Sequence, residues 1–393
     1  MPYLALYGPL AEGETKTLLA AASALGLQTR VFENPASLAA DLEEALPVAV
    51  VLAVDCDGAF EVMTQLRGKA RYAAMPLFGV TPDRTDLAFG AFYDLGGDDL
   101  ITARSLPALT SRLQPLARVS PATQPVRSSG SAVVATSDLR WRNLVVRTLS
   151  NVGIEPHIVG NGPDAAKAAC GATLFVLASD DLPPDGAVTA LTRARTQSSN
   201  TPWVIAAPTK RGIALRESLR GDPRVSVVDK FMPPDNLLFT ANELRRPPFT
   251  DQRAAPRVLF GTSVLFRIAG AGEDDVGFTY NVSSGGAFVR TLAPPEAGQE
   301  VWLELWPPGT DRAVRLVGRV SWRRAFGPHD AATVPPGFGV HLTGGLSDDL
   351  GVWEAGCRAL VADRSAISTH SMHKDVWERL STAPPVWFPK PEL

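Results

Sequence analysis

Along the first 245 residues, short apolar runs alternate with amphipathic stretches of helix length. Tyr3–Tyr7 is followed by an amphipathic stretch at Thr15–Leu27 and a second run at Thr29–Phe32. A β-branched run ending in acids, VAVVLAVDCD at 48–57, comes next, then MPLFGVTP at 75–82. The order then repeats: Ala132–Ala135, Leu139–Val152, Glu155–Val159, ATLFVLASDD at 172–181 and TPWVIAAP at 201–208. Strands alternating with helices at this spacing predict a doubly wound parallel α/β sheet, present twice as an internal repeat.

The pattern changes after residue 257. Val258–Ile268, Val276–Val282, Ala287–Thr291, Glu300–Trp306, Ala313–Trp322 and Gly337–Leu342 are rich in β-branched and aromatic residues and separated by Gly/Pro turns. Only Leu346–Val361 has helical character. Six strands with no crossover helices predict an antiparallel sheet closed into a small barrel, followed by one helix.

Two Pro-rich segments, 115–131 and 245–256, read as linkers. The expected division is therefore 1–118, 131–245 and 250–363, with a tail at 364–393. Charge differs between the parts: residues 1–119 carry net −5, 131–247 carry +3 and 248–363 carry −3. Opposite signs on the first two domains favour docking between them. The whole chain is near neutral, at −3, which argues against a nucleic-acid binder. Cys56, Cys170 and Cys357 are too scattered for a disulfide framework or a metal site. No basic leader and no long apolar span is evident, so a cytoplasmic protein without a membrane segment is expected.

At their strand ends the two repeats resemble receiver domains of bacterial response regulators. That family holds Mg²⁺ with an acidic pair, accepts a phosphoryl group on an Asp, and pairs it with Thr or Ser and Lys. In the first repeat Asp55 matches the acceptor and Thr81 the hydroxyl, but Gly8-Pro9 replaces the acidic pair and Ala103 the Lys. In the second, Asp180 matches the acceptor and Lys230 the Lys, but Thr136-Ser137-Asp138 retains one acid and Ala207 replaces the Thr. Neither set is complete. The expectation is two degenerate receiver-like scaffolds that present surfaces to each other, to an unidentified protein partner or to a second copy of the chain.

The third segment carries Arg253-Ala-Ala-Pro-Arg257 ahead of its first strand and Asn281-Val-Ser283-Ser-Gly285-Gly286 at the end of its second. The pair RxxxR and (D/N)xSxxG, 24 residues apart and in this order, resembles the PilZ family of cyclic di-GMP receptors. RxxxR alone carries little weight, since it recurs from Arg67, Arg216, Arg220, Arg315 and Arg319. The resemblance implies that Arg253, Arg257, Asn281, Ser283, Gly285 and Gly286 hold cyclic di-GMP as a ligand rather than a catalytic cofactor. The chemistry suits it. An arginine fork pairs with a guanine edge or a phosphodiester, Asn and Ser add neutral hydrogen bonds, and glycines let a flat base approach the backbone.

Other candidates read as structural. His329 and His341 lack metal spacing, Asp348-Asp349 suit a helix start, and Trp302, Trp306 and Trp322 suit barrel core or rim. Trp387 and Phe388 lie in a Pro-rich end that packs on the chain or docks a partner. No catalytic constellation, metal site or nucleic-acid signature is present, so the expected function is a non-enzymatic second-messenger receptor. The rivals are a phosphorylation-driven response regulator and a ligand-independent adaptor.

Overall fold

The computed structural model describes residues 2–102, 105, 108–118, 130–245, 255–327, 334–346 and 348–362. The first sheet contains β1 (Tyr3–Tyr7), β2 (Gln28–Phe32), β3 (Ala49–Ala53), β4 (Leu77–Thr81) and β5 (Asp99–Thr102). Its order is β2-β1-β3-β4-β5, all parallel. The second sheet contains β6 (Ser131–Ala135), β7 (Glu155–Val159), β8 (Val176–Ser179), β9 (Trp203–Ala207) and β10 (Val225–Asp229). It has the same order, β7-β6-β8-β9-β10, again all parallel. The central strands are buried along their whole length in both, as helices on two faces require.

The first predicted linker starts later than its prolines suggest. Helix α6 (Leu109–Arg118) runs through Pro115, because Leu109, Leu113 and Leu116 recur on one face and are buried in the first core.

The third unit comprises β11 (Val258–Leu259), β12 (Ser263–Ile268), β13 (Asp275–Ser283), β14 (Gly286–Arg290), β15 (Glu300–Leu305), β16 (Val314–Arg324) and β17 (Gly337–Gly345). Six of them close a ring, β13-β12-β15-β16-β17-β14, sealed by the antiparallel β13–β14 pair, with β11 added along β13. The predicted strand 258–268 is broken because Thr262 and Ser263 turn to another domain: Thr262 Oγ1 and the Ser263 N–H both donate to Asp86, at 3.0 and 2.6 Å. Helix α12 (Asp349–Ala362) packs on the barrel with Trp353 fully buried. Asp348 and Asp349 do more than start that helix: Arg312 pairs with both, and the Arg315 N–H donates to Asp349 at 2.8 Å.

The three units are docked. Helix α7 (Leu139–Asn151) lies on α3 (Ala59–Gly68) and α4 (Ala70–Ala73). Arg147 pairs with Asp98 at 2.6 Å and Asn143 donates to the Gly68 carbonyl at 2.9 Å, so opposite charges do meet across this contact. The barrel sits on α5 (Asp86–Asp94), β5 and α6. Its Val276, Phe278 and Leu292 are part of the first domain's core, with Phe278 stacked 5.4 Å from Tyr93. At the centre of this interface Arg112 is wholly buried. It pairs with Asp99 and Asp275, each at 2.6 Å, and donates to the Val276 carbonyl. Burial by itself pulls the Arg112 guanidinium down, but Asp275 and Asp99 outweigh it and hold it above its ordinary range.

Asp94, at the end of α5, is buried on the same side, and burial pushes its carboxyl well above the usual range despite Arg290 nearby. A raised folded-state value means that Asp94 costs stability as pH rises above the ordinary carboxylate range, a cost that disappears at low pH, where the group is protonated in both states. Asp94→Asn is therefore expected to stabilise the protein at pH 7 by about 1–3 kcal/mol, raising the melting temperature by a few degrees. Melting curves at pH 7 and pH 4 check this: the gap must narrow at the lower pH, and a variant less stable at pH 7 contradicts it.

Candidate functional site

The outer face of the barrel carries the candidate site, and two bulges aim its side chains. On β13 the register shifts between Thr279 and Asn281, so Tyr280 and Asn281 both face outward while Thr279 and Val282 face the interior. On β16 a shift between Val320 and Trp322 turns Trp322 outward, although strict alternation from Val314 would send it inward. Across the three strands β14, β17 and β16, Phe288 is opposite Gly339 and Gly339 opposite Trp322. A Cβ on Gly339 would lie 2.5 Å from the Trp322 Nε1, so glycine there lets the indole cross β17 and stack on Phe288 at 5.0 Å.

A cavity of ≈ 300 Å³ opens above this floor, at the lower end of the ~300–1,000 Å³ typical of small-molecule sites. It brings together Arg257, Asn281, Ser283, Gly285 and Gly286 with Phe288, Ser321, Trp322 and His341. Arg257 is exposed ahead of β11, and it forms no ion pair among the described residues. Asn281 is 4% exposed, and its amide has no hydrogen-bond partner among the described residues. Ser283 Oγ donates to the Gly286 carbonyl at 3.4 Å, a long bond that leaves the hydroxyl available. Arg253 lies outside the described residues.

The two glycines of the motif differ in their surroundings. Gly285 has open space around it, as a ligand approach requires, but a Cβ on Gly286 would lie 2.2 Å from the Val340 carbonyl oxygen. The β14–β17 pairing by itself therefore requires glycine at 286, which also lines the cavity. Sequence reasoning also missed three lining residues. Phe288, Trp322 and His341 read as core or plain strand positions, and only the bulge and the register place them at the cavity. Trp302, read as core or rim, stands 58% exposed on β15, away from this cavity.

The receiver-like strand ends form a second set of candidates. In the first domain Thr81 Oγ1 reaches Asp55 at 3.4 Å, and burial pushes the Asp55 carboxyl up. In the second, Asp180 is tied to Arg211 at 3.0 Å, while Lys230 turns instead to Asp138 (3.2 Å) and Asp181 (3.4 Å). Asp138 is further occupied as the cap of α7, accepting from the N–H groups of Arg140 and Trp141. The acceptor and the lysine are thus each committed elsewhere. Among the described residues no group of three or more His, Cys, Asp or Glu is placed to hold a metal ion, and no helix is long and apolar enough to cross a membrane.

Residues 251–351 match the sequence model of the PilZ domain family. The barrel is a PilZ domain. Solved structures similar to parts of the chain include the Bacillus subtilis inhibitor of motility, at 17% identity and TM-score 0.25, covering 30% of this chain and 58% of that one. A protein described as a response regulator from Chloroflexus aurantiacus is 16% identical with TM-score 0.28, covering 30% and 100%. The C-terminal part of Escherichia coli RcsC, with its linker region and phosphoreceiver domain, is 12% identical with TM-score 0.26, covering 62% and 92%. The chain thus spans about 58% of the Bacillus protein's length. No curated protein matches the chain significantly. The PilZ domain follows two parallel-sheet α/β domains, and the cavity on its outer face includes Asn281, Ser283, Gly285 and Gly286.

Proposed function

We propose that this protein is a cyclic di-GMP receptor whose PilZ barrel binds the dinucleotide on its outer face, with the receiver-like domains as scaffolds for domain arrangement and partner contacts. The units meant are 1–118, 131–245 and 250–363, followed by a tail at 364–393. The observation that carries the reading is the cavity that joins Arg257 to Asn281 and Ser283 above an aromatic floor. A guanidinium and a nearly buried amide that have no ion-pair or hydrogen-bond partner among the described residues, with a hydroxyl, are the groups that a guanine edge and a phosphodiester need. Arg253, Gly285 and Gly286 complete the proposed set. Calorimetric titration of cyclic di-GMP into the full chain tests it, with the linear mononucleotide as control. Saturable binding of the cyclic form, and far weaker binding of the linear one, is expected. No heat at high micromolar ligand would move the protein to the adaptor class.

The phosphorylation-driven alternative is disfavoured by the pairing of Asp180 with Arg211 and of Lys230 with Asp138 and Asp181. A phosphoryl group needs a Mg²⁺ counter-ion and a free lysine beside its acceptor. Beryllofluoride with Mg²⁺ is therefore expected to leave the amide spectrum of the protein unchanged. Specific shifts around Asp55, Asp180 or Asp181 would reinstate the alternative.

A further inference from the structure

Strand β13 addresses three neighbours in turn along its outer face. Val276 and Phe278 enter the first domain's core, Tyr280 reaches the second domain, and Asn281 and Ser283 line the cavity. The contact with the second domain falls on α11 (Pro234–Arg245) and on the end of α7. Tyr280 donates its hydroxyl to the Asp235 carbonyl at 2.6 Å, Arg290 pairs with the Asp235 carboxylate at 3.2 Å, and Arg324 donates to the Asn151 carbonyl at 3.0 Å. Arg290 also lies between the rings of Tyr93 and Tyr280, at 5.0 and 4.7 Å, so one nearly buried guanidinium touches all three domains.

The anchors are close to the cavity. Arg290 is two residues from Phe288 on β14, and Arg324 two from Trp322 on β16, which puts each pair on the same face. Aromatic rings fill the gap without a break. Trp322 stacks on Phe288 at 5.0 Å, Phe288 meets Tyr280 at 6.1 Å, and Tyr280 meets Phe239 of α11 at 6.1 Å. The row begins at the cavity and ends on α11 of the second domain.

Two physical effects give this connection a sign. Ordering the shared aromatic row costs side-chain freedom once, so whichever event comes first lowers that cost for the other. Arg324 is also 5% exposed and, among the described residues, meets only carbonyl oxygens of Asn151, Gly327 and Val334. Burial holds its guanidinium down to about 10, partly offset by Asp235. A dianionic ligand in the nearby cavity favours that buried cation, and Asn151 of the second domain supplies one of the three carbonyls that hold it.

Resting on the cyclic di-GMP reading of the cavity, we infer that ligand occupancy and docking of the second domain are positively coupled through Trp322, Phe288, Tyr280 and Phe239. Asp235, Tyr280 and Arg290 are then positioning residues that set ligand affinity without touching the ligand. By linkage the effect is reciprocal: ligand tightens docking by the factor that docking tightens ligand binding.

Hydrogen exchange on the full chain, with and without saturating cyclic di-GMP, reads this directly. Amides of α11 and of Leu149–Asn151 are expected to exchange more slowly with ligand bound. In parallel, Asp235→Ala, a change at a side chain 31% exposed, is expected to weaken ligand binding by roughly fivefold or more, the low end of such couplings. Asp235→Glu, which keeps the charge for Arg290, should recover part of the loss. Ligand binding by the wild type with unchanged or faster α11 exchange overturns the coupling and leaves the ligand reading intact. No binding by the wild type overturns both.

Discussion

Replacing Arg257 with alanine is expected to weaken cyclic di-GMP binding by roughly thirtyfold to several thousandfold, about 2–5 kcal/mol. Arg257 forms no ion pair among the described residues, so its truncation breaks no ion pair among them. On the proposed reading, what is lost is the pairing of a charged fork with a phosphodiester or guanine edge, which leaves the ligand group unsatisfied. Arg253→Ala should act in the same range if it contributes as proposed. Asn281→Ala should cost less, about 1–3 kcal/mol, because one neutral partner disappears. Arg315→Ala and Arg319→Ala are controls within another RxxxR: Arg315 is already paired with Glu304 at 3.1 Å, and neither lines the cavity. Because the ligand is doubly anionic, wild-type affinity should also fall as salt rises. Calorimetry of the four arginine variants checks the set. Equal affinity in Arg257→Ala and wild type would falsify the assignment of this cavity.

Arg112→Met is the second large effect, and it concerns how the barrel is held. The variant keeps most of the side-chain volume but strips Asp99 of its cation, while Asp99 stays fully buried between the first domain and the barrel. Removing one member of a buried ion pair typically costs about 3–5 kcal/mol. The loss should appear as a lower urea midpoint and as faster exchange at Val276 and Leu292, whose N–H groups donate to Asp275 and Asp99, the two carboxylates that Arg112 holds. Adding Asp99→Asn should return part of the stability, since the penalty comes from the uncompensated carboxylate. A loss under about 1 kcal/mol would mean that the interface relaxes around the charge, contrary to this account.

Much of the architecture was readable in the chain. The alternation of apolar runs with amphipathic stretches carried the two parallel sheets, and β-branched runs without crossover helices carried the barrel, because each pattern buries one face only in its own periodicity. The motif at Asn281–Gly286 located one wall of the cavity. Its opposite wall was invisible, for a definite reason. Period-two alternation along 314–324 assigns Trp322 to the interior, and a bulge that no local residue announces reverses it. The same shift at Tyr280 turns Asn281 and Ser283 outward, so the motif itself depends on a bulge to reach solvent.

The docking of the domains was beyond sequence reading in all but its sign. Opposite net charge anticipated attraction between the first two domains, and Arg147 with Asp98 realises it. Phe278, Arg112 and Arg290 looked like ordinary strand or helix residues. Periodicity says which face of an element is apolar, but not whether that face meets its own core or a neighbour's. The chain by itself determined the strands, the helices and the Asn281–Gly286 motif, because those follow from local propensity and repeat. Only the tertiary structure decided which side chains share the cavity and which guanidinium joins three domains, because burial between separate units depends on contacts far apart along the chain.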